Sequence, residues 1–246
     1  MTYVLVTRPL EASQQLADQL DVLGFFPIVM PLYTFSAREP LPEVTSAWSA
    51  EPLRQLAIFT SPRAVQYGLE HIPDEQVDRL ECAAIGSATR SSLESRGVAV
   101  KLQAESGYSS EDLLQLPELS VEPGVAVIFC APGGRETLAT GLADMGWSVI
   151  KAMVYERIPL QPEAKQVDAI MAAGDLLSIW TSISALSLAR KSLPESVWTK
   201  ILSTPALVIS SRIQHHLQQL GATRVEVAEG PGNTELVQSI LRLTGH

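Results

Sequence analysis

One internal repeat, with a period of about half the chain, constrains this sequence more than any other feature. Leu16, Leu20, Leu23-Gly24 and Tyr33 recur as Leu138, Leu142, Met145-Gly146 and Tyr155, each 122 positions on. Phe59-Thr60-Ser61 and Ala64 recur as Trp180-Thr181-Ser182 and Ala185 at a shift of 121. Gly86-Ser87, Leu93 and Gly97 return as Ser210-Ser211, Leu217 and Gly221, and Ser109-Ser110-Glu111 as Asn233-Thr234-Glu235, both at a shift of 124. Such a period is far too long for a solenoid and gives a duplicated domain. The 246 residues then divide into two similar lobes of ordinary domain size.

The local pattern of each copy is strand, helix, strand. Tyr3 to Thr7 is a continuous apolar run, and Ala12, Leu16, Leu20 and Leu23 follow at helical spacing. Gly24 stands at the end of that helix, and Ile28-Val29-Met30 begins the next strand. The second copy repeats this from Val125 to Phe129, through Leu138, Leu142 and Met145-Gly146, to Val149-Ile150. Further strands are expected at Leu56 to Phe59, Ala83 to Ile85 and Val98 to Leu102, and at Leu177 to Trp180, Ala206 to Ile209 and Val225 to Ala228. Apolar strands alternating with helices predict an α/β fold with parallel sheets covered on both faces. Proline-rich joints lie at Pro40 to Pro52 and Pro159 to Pro162.

Composition excludes several classes of function. A net charge of −9 argues against a nucleic-acid partner. The longest strongly apolar run, Val125 to Ala131, is far too short to span a membrane. The first residues lack a signal-peptide pattern, so a cytoplasmic protein is expected. Cys82 and Cys130 each lie in a strand-like segment and are expected as buried free thiols, in keeping with a reducing compartment. His215 and His216 are adjacent and diverge on a helix by about 100°, while His71 and His246 have no Cys or acidic companion at metal-ligand spacing. No metal site is expected. Neither G-x-S-x-G, nor a phosphate-binding G-x-x-x-x-G-K-[ST], nor G-x-G-x-x-G occurs.

The polar clusters all follow predicted strands. Thr60-Ser61-Pro62 reads either as a helix N-cap with proline in the first turn or as an anion site made of hydroxyls and free N–H groups. Thr181-Ser182, Ser87-Ala88-Thr89, Ser210-Ser211 and Ser109-Ser110 occupy equivalent places. Ligands of parallel α/β sheets bind outside the carboxyl ends of the strands, where these clusters belong. Gly133-Gly134-Arg135 is either an anion-binding turn or a plain turn with a solvated arginine. Thr7 and Arg8 stand at the same edge after the first strand. Tyr33 and Tyr155 read as strand-end packing residues or as residues facing a cleft.

Taken in order, these segments resemble a known family. They are Val4-Leu-Val-Thr-Arg-Pro9, Phe59-Thr-Ser61 with Ala64-Val65, Ala84-Ile-Gly86, Ser110-Glu111 and Gly133-Gly-Arg-Glu136, followed by Val154-Tyr155-Glu-Arg157, Trp180-Thr-Ser182 and Val208-Ile-Ser-Ser-Arg212. The ordered set resembles the uroporphyrinogen-III synthase family over essentially the whole chain. The resemblance implies two parallel α/β lobes joined by two crossover strands, Phe26 to Phe35 and Val149 to Leu160. One lobe is formed by about 1–35 and 158–246, the other by about 36–157. It implies a cofactor-free lyase that closes linear hydroxymethylbilane, with loss of water and inversion of the terminal pyrrole ring. That substrate carries eight carboxylates, which helix N-termini and Ser/Thr hydroxyls can hold without a basic surface. Tyr155 matches the family's cleft tyrosine and is the expected donor to the leaving hydroxyl. The chain departs from the family at Cys130, where an arginine is usual, and at Arg212, where a threonine is often found. A monomer is expected, with the enzyme that supplies the unstable substrate as its one protein partner. The alternative is a two-lobed module that binds a small anionic ligand without catalysis, leaving Tyr155 and Arg135 dispensable for chemistry.

Overall fold

A computed structural model gives the fold and describes residues 1–48, 54–77, 80–104, 109–133 and 136–245. The first six strands are β1 (Thr2–Val6), β2 (Phe26–Val29), β3 (Tyr33–Ala37), β4 (Gln55–Phe59), β5 (Glu81–Ala84) and β6 (Leu102–Gln103). The other six are β7 (Val125–Cys130), β8 (Ser148–Met153), β9 (Tyr155–Pro159), β10 (Asp175–Trp180), β11 (Ala206–Val208) and β12 (Val225–Val227). The chain divides into two compact units. Unit 1 is Met1–Thr34 with Ile158–His246, and unit 2 is Phe35–Arg157.

Each unit has a parallel five-stranded sheet, ordered β12-β11-β10-β1-β2 in unit 1 and β6-β5-β4-β7-β8 in unit 2. Replacing every strand by its partner in the sequence repeat converts one order into the other. The ladders agree residue by residue. Val6 faces Val29 and Ile179 in unit 1, and Ile128 faces Lys151 and Ile58 in unit 2, the same positions shifted by 122 or 121. Every five-stranded sheet thus takes two strands from one half of the sequence and three from the other. The chain passes between the units along β3 and β9, which pair with each other as a two-stranded sheet.

The repeated glycines explain why strand follows helix at a fixed angle. Gly24 has φ +84° and Gly146 has φ +92°, the left-handed region where a Cβ is strained. In both turns the residue after the glycine donates its N–H to the leucine carbonyl five positions back, Phe25 to Leu20 and Trp147 to Leu142, at 3.0 Å. This closes the helix end and drops an aromatic ring into the core. A similar turn displaces one expected strand. Val98 spends its N–H on the Leu93 carbonyl, so the region expected as a strand from Val98 to Leu102 joins the ladder only at Leu102–Gln103.

Alternation along β4 separates two cores in unit 2. Ala57 and Phe59 point into a cluster with Trp48, Ala64, Val65, Phe129 and Tyr155. Leu56 and Ile58 point the other way, to Ile128, Leu138, Leu142 and Trp147. Phe129 stacks on Phe59, with centroids 4.7 Å apart and planes 7° from parallel, and lies 6.3 Å from Trp48. Gly68 abuts this stack, and a Cβ there would lie 2.7 Å from Phe129 Cδ1. In unit 1, Val4, Val6, Leu16, Leu20, Ile179, Leu236 and Ile240 share a core. Among the described residues no helix is long and apolar enough to cross a membrane.

Candidate active site

Neighbouring strands β4 and β7 send their chains in opposite directions. After β4 the helix Pro62–Gly68 leads toward β5, and after β7 the helix Glu136–Asp144 leads toward β8. The two helices cover opposite faces, since Ala64 and Val65 belong to one core and Leu138 and Leu142 to the other. Such a switch point leaves a crevice beyond the strand ends. There unit 2 has a cavity of about 710 Å³, lined among others by Thr60, Ser61, Ser109, Ser110, Gly133 and Tyr155. That volume suits a small organic ligand.

Tyr155 reaches the cavity because it opens β9, one residue after β8 has ended. Its ring is 6% exposed, 5.8 Å from Tyr67 at an interplanar angle of 21° and 5.7 Å from Phe35 at 68°. Its hydroxyl lies 3.0 Å from Ser61 Oγ. Ser61 is the N-cap of the helix Pro62–Gly68 and accepts the Ala64 N–H at 3.1 Å. Thr60 Oγ1 donates to the Phe129 carbonyl at 3.0 Å.

Basic groups surround these hydroxyls. Arg38, Lys151 and Arg157 line the cavity, with Glu156 beside them. Lys151 Nζ is held 2.7 Å from Glu136, and this hydrogen bond raises its pKa and keeps it an ammonium. Arg38 is 3.8 Å from Glu156. Local positive charge therefore offsets the acidic surface at this place. Cys130 also lines the cavity, but burial pushes its thiol pKa up, only partly countered by Lys151, so the reactive thiolate is suppressed. Burial pushes Cys82 up to about 11. Both thiols are free and buried.

Unit 1 presents the related set at the ends of β1, β10 and β11. Ser182 caps the helix Ile183–Ser192, accepting the Ala185 N–H at 3.1 Å, and Tyr33 Oη lies 3.5 Å from it. Arg8 stands where unit 2 has Cys130, as the 122-residue shift of the ladder requires. Its guanidinium donates to Asn233 Oδ1 at 2.6 Å. Burial lowers its pKa from the usual guanidinium range, while Tyr33 acts in the opposite direction.

The predicted residues thus fall into three groups. Thr60, Ser61, Ser109, Ser110, Gly133 and Tyr155 gather around the unit 2 cavity. Arg8, Thr181, Ser182, Ser210 and Ser211 sit at strand ends in unit 1, with Ser210 and Ser182 acting as helix caps. Thr7, Ser87 and Thr89 do not line the cavity. Thr7 is buried and donates to the Ile179 carbonyl at 2.7 Å, Thr89 is buried within its helix, and Ser87 is exposed as the first residue after the Gly86 cap. Gly134 and Arg135 lie outside the described residues. Sequence reasoning missed Arg38, Lys151, Glu156 and Arg157 as site residues. Lys151 had left a signal, a lone charge in the apolar strand run Val149 to Met153. Among the described residues no group of three or more His, Cys, Asp or Glu could hold a metal ion.

Comparison with known proteins agrees over nearly the whole length. The family model described as uroporphyrinogen-III synthase HemD matches residues 14–238. The uroporphyrinogen-III synthase of Escherichia coli K12 is 29% identical over 245 residues, covering 96% of this chain and 99% of that protein. Its namesake from Chlorobaculum parvum is 25% identical over 259 residues, covering 98% and 100%. Two crystal structures share the fold. A mutant uroporphyrinogen III synthase from the extremely thermophilic bacterium Thermus thermophilus has a TM-score of 0.67 at 17% identity, covering all of both chains. The uroporphyrinogen-III synthetase of Helicobacter pylori 26695 has a TM-score of 0.66 at 20% identity, covering 99% of this chain and 100% of that one. A duplicated frame with a hydroxyl-lined switch-point cavity, together with a family match from residue 14 to 238, places this chain in the uroporphyrinogen-III synthase family.

Proposed function

We propose that the chain catalyses its family's reaction, closing hydroxymethylbilane to the type III macrocycle with loss of water and inversion of the terminal ring. The observation that carries the site assignment is a single phenol, Tyr155, packed into the wall of a cavity lined by three basic side chains. In this reading Tyr155 donates its hydrogen to the departing hydroxyl. The electron-rich pyrrole expels that group with modest acid help, so positioning contributes much of the rate.

Arg38, Lys151 and Arg157 receive carboxylates in unit 2, together with the Ser110 hydroxyl and the backbone at Gly133, while the Ser109 hydroxyl is held by Asp112 in a capping box. Arg8 with Thr181 and Ser182 offers carboxylate contacts in unit 1, where the half-buried guanidinium has an amide partner rather than an acid. Ser210 and Ser211 end the next strand and complete that set. No bound cofactor enters the scheme. The protein acts as a cytoplasmic monomer that receives its unstable substrate from the preceding enzyme.

The test is direct. Purified protein, free of added cofactor, is given freshly generated hydroxymethylbilane, and the product isomers are separated. Spontaneous closure gives type I, so a predominance of type III is the expected outcome. Type I product alone, at any protein concentration, would refute the assignment.

A further inference from the structure

We infer that Ser61 is a positioning residue for this reaction: its hydroxyl donates to Tyr155 Oη and turns the phenol's own hydrogen into the cavity. The inference rests on the reading of Tyr155 given above. Packing on Tyr67 and Phe35 fixes the ring, and Oη lies on the ring's rotation axis, so ring flips do not move it. The direction of the O–H bond is the freedom that remains. If Tyr155 donates to Ser61, a ligand in the cavity meets a phenol lone pair, which repels a leaving hydroxyl oxygen. If Ser61 donates to Tyr155, the ligand meets a hydrogen.

Two contacts favour the second arrangement once a ligand oxygen is present. Ser61 Oγ already accepts the Ala64 N–H at 3.1 Å, and an oxygen that accepts one hydrogen bond becomes a better donor for the next. The neighbouring hydroxyl does not compete, because Thr60 Oγ1 is committed to the Phe129 carbonyl. A chain then runs from Ala64 N–H to Ser61 O–H to Tyr155 O–H to the substrate. The equivalent pair in unit 1, Ser182 and Tyr33, stands 3.5 Å apart, at the limit of a hydrogen bond. The same cap is present in both units, but the contact is close in unit 2.

The proton balance is closed. As the C–O bond breaks with its electron pair on oxygen, the Tyr155 hydrogen goes to that oxygen and water leaves. Ser61 holds its hydrogen bond to the phenolate. Inversion then needs the terminal ring's bridge-bearing carbon to attack the cationic carbon and its bond to the old bridge to break. The freed bridge cation is taken by the ring's unsubstituted carbon, which sheds its hydrogen as the ring regains aromaticity, and that proton restores the phenol.

Steady-state turnover with hydroxymethylbilane tests this, read beside thermal stability. Ser61→Ala is expected to lower kcat about five- to tenfold with KM little changed, the loss of one hydrogen bond that strengthens as the phenolate develops in the transition state. Ser61→Gly, a gentler change at a cap, should lose as much turnover while losing less stability. Ser61→Thr keeps both hydrogen-bonding roles and should recover most of the lost rate. In a Tyr155→Phe background, Ser61→Ala should still lower the melting temperature but add no further fall in kcat. An equal fold-loss in both backgrounds, or a turnover that tracks stability across Ala and Gly, overturns the role of Ser61. A wild-type protein that yields only type I product overturns the underlying assignment of the reaction, and this inference with it.

Discussion

Unit 1 and unit 2 are the same frame filled differently, and the filling separates what folds the protein from what does its chemistry. Both have one strand order, one ladder register, a tyrosine after the edge strand and a serine cap facing it. After β1 unit 1 carries the half-buried cation Arg8, and at the end of the equivalent strand β7 unit 2 carries the neutral Cys130. Unit 2 instead surrounds its cavity with Arg38, Lys151 and Arg157. Duplication supplied two switch points, and divergence at the strand ends made them unequal. Function here lies in residues grafted on a shared fold.

The largest expected contrast is between the two tyrosines. Tyr155→Phe keeps the packed ring and removes the donor, so turnover should fall, up to about 100-fold, at the lower end of general-acid effects. Water can substitute in part because the leaving group departs readily. Stability should drop by no more than about 1 kcal/mol, the net value of one hydrogen bond. Tyr33→Phe, measured in parallel by turnover and thermal unfolding, should change neither by much. Equal small effects would remove Tyr155 from the mechanism and leave positioning as the catalyst.

A second contrast lies in the cores. Where unit 2 has Phe129 and Gly68, unit 1 has Thr7 and Ala189 at the equivalent places. A large ring is matched by a missing methyl, and a small side chain by a methyl present. Gly68→Ala should therefore destabilise, although alanine favours helices by about 1 kcal/mol over glycine. The new Cβ would meet a ring held between Phe59 and Trp48, and overpacking of that kind typically costs about 1–3 kcal/mol. Ala189→Gly should destabilise as well, by about 1 kcal/mol, for the opposite reason. Thermal unfolding of both variants checks this, and a stabilised Gly68→Ala would show that the stack yields.

Much of this frame was legible in the sequence, because apolar periodicity and terminal glycines act locally. The run Val125 to Phe129, the helix ended by Gly146 and the alternation of strands and helices appear as read. Helices with weaker end signals are less legible. Ala164–Ala172 follows the Pro159 to Pro162 joint and starts with a capping arrangement of Glu163 and Gln166, without the usual Ser, Thr, Asp or Asn at the cap. The site was legible only in part. Both readings of Ser61 hold a share of truth, since it caps a helix and also touches Tyr155. No spacing rule places Ser61 beside Tyr155, 94 positions away, because their proximity depends on the order of β4, β7 and β8 in the sheet. Arg38 follows β3 and Arg157 lies within β9, strands that pair only in three dimensions, so their convergence had no local signature.

The smallest expected effects concern the caps, and they divide capping from chemistry. Ser61, Ser182 and Ser210 each accept an N–H three residues on, at 3.1, 3.1 and 3.4 Å. Replacing a cap serine by alanine typically costs about 1 kcal/mol, within a range of roughly 0.5–2. Ser182→Ala should sit near that value, and Ser210→Ala lower, because its longer bond is already weak. Ser182→Ala should also cost turnover less than Ser61→Ala, since Tyr33 stands farther from its serine than Tyr155 does. Urea unfolding paired with isomer-resolved activity gives both numbers for each variant. If turnover fell in proportion to stability for all three, the serines would be alike and the asymmetry of the units would reside in the basic residues alone. If Ser61→Ala departs from that line while Ser182→Ala lies on it, the 0.5 Å difference between the two tyrosine–serine pairs separates a structural repeat from a working one.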